Sequence, residues 1–390
     1  MRIAIVKLSS IGDVTHTLPA AAAIRRALPA ARISWVVERR ASELLKGSPA
    51  IDDLIEIDTR AWRASLRGAS FLSDATIAEV REKLARIRGL NGGESVYAAL
   101  DFQGLIKSGL VAKATGAGRR IGFETRELRE KASRLFLTEQ VETSHFKHVI
   151  DKNLALANSV IDGAGAARTG SAGLSSTRYE FPIAVSPDDE RYVEEATGER
   201  GSRFAIINPG GGWPTKLWPA TSYGRLADWL LSEHGLVSFV TYGPGEESLA
   251  QTVADGSQSD AAVPFPSTLK QFVALARRAA LFVGGDMGPL HLAAASGAPI
   301  VGIYGPTSPE RNGPFDSRDV TVGRDLWCRA DCHRRSCWHW ECMNIPVGAV
   351  AHAVSTRLAR VEEDAGHAQT EPRMVSPFML ASERAERGGS

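Results

Sequence analysis

The chain has 390 residues, enough for two domains at about 150 residues each. Its 43% hydrophobic and 23% charged residues exclude wholesale disorder. A net charge of +1 argues against a nucleic-acid binder held by bulk positive charge. That balance is uneven: residues 1–180 carry 27 Lys/Arg against 20 Asp/Glu, net +7, and residues 181–390 carry 19 against 25, net −6. The basic front half is the one suited to an anionic ligand or a membrane surface.

The first element is RIAIVKL at 2–8, an apolar run that reads as a buried parallel strand. Only four consecutive apolar residues precede Lys7, so no signal peptide is expected and the chain reads as cytoplasmic. A helix is predicted after Asp13, carrying Ala20–Ala23, Ile24 and Leu28. ISWVV at 33–37, DLIEI at 53–57 and ESVYAALD at 94–101 are further strands. They are followed by a helix over about 105–115, RRIGF at 119–123 and a helix over 146–162. Between 60 and 90 lies a polar, Arg-rich insertion, read as helical over 76–88. Residues 163–177, rich in Gly, Ala, Ser and Thr, read as a linker.

The alternation restarts with FAIINPGGG at 204–212. A helix from about 219 follows, then a strand at 237–243, a helix at 268–279, a strand at 281–286, a helix at 288–296 and a strand at 298–305. A last helix spans about 347–362. Residues 287–309 contain no Asp, Glu, Lys or Arg, but Gly297-Ala298-Pro299 breaks the stretch, which reads as a buried helix, turn and strand rather than a membrane span. The expected fold is α/β, with two doubly wound Rossmann-like domains in tandem over 1–180 and 181–362 and a disordered tail over 363–390. Their cleft, at the carboxyl ends of the strands, is the default active site.

Four loops carry chemistry in this scheme. In Lys7-Leu8-Ser9-Ser10-Ile11-Gly12-Asp13, Gly12 leaves room for a ligand near the backbone, and Asp13 is either an N-cap or a general base facing the cleft. Asn208 to Pro219 places Gly210, Gly211 and Gly212 after a strand, with Thr215 and Lys216 before a helix; free amides and a lysine suit a phosphate. Gly284-Gly285-Asp286-Met287-Gly288-Pro289-Leu290-His291 repeats the pattern, and two such loops together suggest a clamped diphosphate. In Thr241 to Glu247, a carboxylate at a strand end suits a ribose or caps a helix. Arg60, Arg63, Arg67, Arg119 and Arg120 form a solvated face or meet an anionic acceptor. Cys328, Cys332, Cys337 and Cys342, with His333 and His339 between them, are too compactly spaced for paired zinc ligands and read as thiols beside the cleft.

Together these motifs resemble the bacterial ADP-heptose:lipopolysaccharide heptosyltransferases, glycosyltransferase family 9. The resemblance is carried by KLSSIGDVTHTLPA (7–20), WVVE (35–38), ALDFQGLIKS (99–108), GGGWPTKLWP (210–219) and GGDMGPLHLAAASGAPIVGIYGPTSP (284–309). It runs over about residues 1–360, and its front half is most like the type I enzymes. It implies a GT-B fold and an inverting transfer of heptose from ADP-heptose to a Kdo-lipid A acceptor. It also implies no cofactor or required metal, and a place at the cytoplasmic face of the inner membrane. Asp13 matches the proposed base and Lys216 the lysine on the donor diphosphate. Asp286, Gly288 and His291 match the donor loop, flanked by Gly211, Gly212, Thr215 and Met287, the last standing where threonine is common. Glu246, or Glu247 one residue on, matches the ribose contact. Arg60, Arg63 and Arg120 fall where acceptor contacts lie, beside Lys7, Ser9, Ser10 and Gly12. The alternatives are another nucleotide-sugar transferase or epimerase of GT-B fold, and a non-catalytic or redox protein built on the cysteines.

Overall fold

The computed structural model describes residues 1–58, 96–166, 179–328, 332 and 335–368. The first sheet is built from β1 (Arg2–Val6), β2 (Arg32–Glu38), β3 (Asp53–Ile57), β4 (Val96–Asp101), β5 (Arg119–Phe123) and β6 (Glu139–Val141). Its helices are α1 (Ile11–Thr15), α2 (Leu18–Ala27), α3 (Arg39–Leu45), α4 (Ile106–Ala114) and α5 (Val149–Gly163). The second sheet contains β7 (Phe204–Asn208), β8 (Val237–Thr241), β9 (Ala262–Phe265), β10 (Leu281–Gly285), β11 (Ile300–Tyr304) and β12 (Val320–Gly323). Around it lie α6 (Pro187–Thr197), α7 (Ala220–His234), α8 (Glu247–Asp255), α9 (Leu269–Arg278), α10 (Gly288–Ala295), α11 (Pro309–Asn312) and α12 (Val347–Ala368).

The strand orders are β3-β2-β1-β4-β5-β6 and β12-β11-β10-β7-β8-β9. Every pairing is parallel. Read from β9 to β12, the second order repeats the first, so each sheet has its switch point beside its opening strand. The opening strands are apolar on both faces because helices cover both: Ile3, Ala4, Ile5 and Val6, and Phe204, Ala205, Ile206 and Ile207, are all buried. Ser9–Asp13 therefore leaves the carboxyl end of β1, and the glycine loops leave those of β7 and β10, at the crevices where such sheets bind ligands.

Local chemistry adjusts the predicted elements. The single helix expected after Asp13 is two, α1 and α2, because Pro19 has no N–H to bond the carbonyl four residues back. The unpredicted elements are short or polar: β6 is three residues with an exposed Gln140, β9 contains Pro264, and α6 buries only Val193 and Thr197. The insertion at 60–90 and most of the 163–177 linker lie outside the described residues. So does the expected tail from 369 on, whereas its first residues continue α12 to Ala368.

The two halves meet where α1 faces α10. A methyl at Gly288 would stand 3.2 Å from Ile11 Cβ, and one at Gly12 would stand 2.6 Å from His291 Cδ2. Lys270, at the start of α9, forms a second join: its Nζ donates to the carbonyls of Lys46 (2.9 Å) and Ala184 (2.5 Å). The core is continuous across this seam, since Val14 and Leu44 share a cluster with Phe272 and Leu290. Gly12→Ala is expected to push into the buried His291 ring and to cost about 1–3 kcal/mol. Calorimetry should show a lowered Tm, while Gly118→Ala, which opens onto free space, leaves it unchanged.

Candidate active site

A cavity of about 590 Å³ lies between the halves. The front half lines it with Ser9, Ser10, Gly12, Asp13, His16 and Arg129. The back half contributes Gly212, Trp213, Lys216, Asp286, Met287, Gly288 and His291, with Thr307, Arg311, Asn312 and Arg335. Its volume falls in the range of small-molecule sites, about 300–1,000 Å³.

On the front wall, Asp13 is the third residue of α1. Its Oδ2 accepts from the Ser10 amide (3.0 Å) and hydroxyl (3.2 Å), so it does close the helix start as an Asp can. Its Oδ1 accepts from Arg129 (2.9 Å) and lies 3.7 Å from Lys7 Nζ. Burial favours its neutral form, but Lys7, Arg129 and the Ser10 amide outweigh burial and hold the carboxyl well below the usual carboxylate range. Lys7 is only 3% exposed and donates to the Phe102 carbonyl at 2.7 Å. Burial brings it down to about 8. Gln103 Oε1 receives the Leu8 and Ser9 amides, at 3.1 and 3.2 Å, and so holds the loop after β1. Asp101 in turn orients this turn through the Gln103 and Gly104 amides and the Ser108 hydroxyl.

On the back wall, Asp286 is 3% exposed and gathers four side chains. Its Oδ2 accepts from Lys216 Nζ (2.5 Å) and the Thr307 hydroxyl (2.6 Å), and its Oδ1 from Asn312 (2.6 Å), with His291 Nε2 at 3.2 Å. Burial acts to raise its pKa, but His291 and Lys216 prevail and keep it ionised far below the ordinary range. Lys216 also lies 4.9 Å from the Trp213 ring centroid. Met287 packs over Gly211, 3.3 Å from where a methyl there would sit, and closes the floor between the two glycine loops. Glu246 braces those loops: its Oε1 accepts from the Gly211 amide (3.1 Å) and its Oε2 from the Gly243 amide (2.9 Å). Glu247 instead accepts from Gly245 at the exposed start of α8. Thr215 is buried, and its carbonyl accepts from the Trp340 indole.

The predicted residues thus separate. Asp13, Ser9, Ser10, Gly12, Gly212, Lys216, Asp286, Met287, Gly288 and His291 come together at the cavity, with Gly211 and Glu246 directly behind its glycine loop. Lys7, expected to touch an acceptor, is instead buried behind Asp13 because its ammonium is drawn to Phe102 O and the carboxylate. Arg120 is not at the cleft: it sits near the amino end of β5 and donates to the carbonyls of Phe136 (2.7 Å) and Ala117 (2.8 Å). Arg60 and Arg63 lie outside the described residues. The cation facing Asp13 is Arg129, which in the chain is one of several basic residues in RELREKASR and carries no signal of its own. Thr307 and Asn312 also escape a sequence reading, because their partner is 21 and 26 residues away in the chain.

The family description "Glycosyltransferase family 9 (heptosyltransferase)" matches residues 91–339, more than half of the chain. Lipopolysaccharide heptosyltransferase 1 of Pseudomonas aeruginosa is 27% identical over 337 residues, covering 86% of this chain and 87% of its own. Among solved structures, E. coli heptosyltransferase WaaC with ADP-2-deoxy-2-fluoro heptose aligns with a TM-score of 0.70 at 22% identity, over 91% of this chain and 99% of that one. E. coli ADP-heptose lps heptosyltransferase II aligns with a TM-score of 0.69 at 19% identity, over 93% and 100%. At these identities the structural likeness is one of fold, the two-sheet GT-B architecture.

Removing the carboxylate would strand the half-buried Lys216 and leave Thr307 and Asn312 without their acceptor. Asp286→Ala is therefore expected to destabilise the fold by about 3–5 kcal/mol, read as a lower midpoint in urea unfolding. Asp286→Asn, which keeps an acceptor for Thr307, should lose less.

Proposed function

The chain belongs to glycosyltransferase family 9, the heptosyltransferases, and from that premise we propose that it is an inverting enzyme moving heptose from ADP-heptose to the Kdo-lipid A inner core of lipopolysaccharide. The observation that carries this reading is the arrangement across one cavity: an ionised Asp13 on one wall, and Lys216 with the glycine loops and the α10 N-terminus on the other. The chemistry needs that division. A base must take the proton of an acceptor hydroxyl while its oxygen bonds to the anomeric carbon, and the bond from that carbon to the diphosphate breaks as ADP leaves with the electron pair. Asp13 is the base in this reading. The charge on departing ADP is met by Lys216, by the Gly212 and Gly288 backbone and by the positive end of α10, with no metal ion called upon.

Asp13 between two cations is a poor base, because its carboxyl is held so far down. An anionic acceptor resolves this. A Kdo carboxylate that takes Arg129 removes one of the cations depressing Asp13 and raises its basicity only when the acceptor is seated. Arg129 then supplies the acceptor contact first assigned to Arg120, alongside Ser9, Ser10 and Gly12.

A lipid-linked acceptor also calls for contact with a membrane surface, on the cytoplasmic face where ADP-heptose is available. Among the described residues no helix is long and apolar enough to cross a bilayer. The front half instead exposes Ile106 and Leu110, one turn apart on α4, at 38% and 50%. Leu135 is 80% exposed on the neighbouring turn of helix at 131–136. Phe136 seats that turn against Gly109, and Lys113, Lys131 and Arg134 are exposed around it. The patch adjoins the cleft, because Glu130, next to Arg129, accepts from the Ile106 amide at 2.7 Å. Aliphatic side chains rimmed by lysine and arginine suit an anionic lipid interface.

Two measurements test these readings. Incubation with ADP-heptose and Kdo₂-lipid A should give a product heavier by one heptose, and Asp13→Asn should lower turnover about 10²–10⁴-fold with ADP affinity nearly intact; full activity in that variant rules out Asp13 as the base. In co-sedimentation with phosphatidylglycerol-containing vesicles, the Leu110→Ser/Leu135→Ser variant should bind on the order of ten-fold more weakly than wild type. Equal binding would move the membrane face elsewhere.

A further inference from the structure

The cysteine segment has no part in the chemistry described so far, yet it is fastened to the donor wall. Arg324 donates to Glu341 Oε2 at 2.8 Å, and the Trp340 indole N–H donates to the Thr215 carbonyl at 3.2 Å. Cys342 Sγ is 3.3 Å from where a methyl on Gly305 would sit, so Cys342 lies against the end of β11. All four cysteines are half-buried. Arg335, between Cys332 and Cys337, lines the same cavity as Gly212, Lys216, Met287 and Gly288. The Arg335 guanidinium carbon is 5.0 Å from the Trp213 ring centroid, the same indole on which Lys216 rests at 4.9 Å.

The cations of the cavity are thereby divided. Arg129 lies on the Asp13 side, 2.9 Å from that carboxylate, and Arg311 lies on α11, whose Asn312 bonds Asp286. Lys216 and Arg335 share Trp213 on the other side. Asp286 already matches the charge of Lys216 at 2.5 Å, so Lys216 by itself brings little net positive charge to a ligand with two phosphates. Lys216 and Arg335 both line the cavity, so one anion bound there can meet both charges. An arginine held over an indole is restrained in orientation, so it loses little freedom when it forks onto phosphate oxygens.

We propose that Arg335, delivered by the cysteine segment and held on Trp213, is a ligand of the donor's diphosphate. This rests on the reading of the back half as the ADP-sugar site. The segment then serves to carry a phosphate-binding cation to a half of the molecule whose net charge is −6.

The deciding experiment is calorimetric titration of the full chain with ADP and with adenosine, for wild type, Arg335→Ala and Arg335→Lys. Arg335→Ala should weaken ADP about ten-fold to a hundred-fold and leave adenosine unchanged, and Arg335→Lys should fall between. Unchanged ADP affinity in Arg335→Ala overturns the proposal. An equal loss for ADP and adenosine also overturns it, since it would mean that Arg335 only shapes the loop. Failure of the wild type to bind ADP would remove the donor reading itself, an outcome distinct from both.

Discussion

Asp286 leaves the end of β10 buried, and its two oxygens hold Lys216, Thr307, Asn312 and His291. A charge in that position is tolerable only when paired and fully hydrogen-bonded. Meeting that condition draws together the glycine loop after β7, the loop after β11 and α10. His291, the member on α10, then packs against Gly12 of the opposite half, where no side chain larger than hydrogen fits. The chain of contact from Asp286 through His291 to Gly12 thus sets the distance between the wall that would hold the donor and the carboxylate that would activate the acceptor.

Electrostatics on the two walls follow opposite rules. On the back wall Lys216 is neutralised by Asp286, so further positive charge comes from amides, a helix end and the arginines Arg311 and Arg335. The front wall has one carboxylate between two cations, so its basicity must be released by something anionic that competes for them. Both arrangements let substrate charge complete the balance in the cleft. The +7 and −6 halves read from composition are the coarse form of this division.

Much of the site could be read from the chain because its loops are continuous. Ser9 to Asp13, Gly210 to Lys216 and Asp286 to His291 are each a strand end running into a helix, and strand patterning locates such ends. What could not be read was partnership across the chain. Arg120 and Arg129 are both arginines near β5, but only the position after the strand's carboxyl end reaches the cleft; Arg120, near the amino end, is held by Ala117 and Phe136 carbonyls. Lys7 sits next to the site in sequence and behind it in space. Glu246, matched to a ribose contact by the resemblance, also braces two glycine amides, one of them 35 residues away in the chain. The cysteine segment has no spacing rule to follow, and among its described residues Trp340 and Arg335 reach partners more than a hundred residues away in the chain.

By itself, the sequence determined the alternation of strands and helices, the division into two similar sheets, and which loops stand at strand ends. Those features depend on local periodicity and on glycine and proline, whose effects act within a few residues. Tertiary structure alone decided which cation faces Asp13, which groups share Asp286 and how closely the halves approach. Those outcomes depend on Coulomb and packing terms between residues from separate strands, and such terms act through a distance in space that the order of residues does not encode.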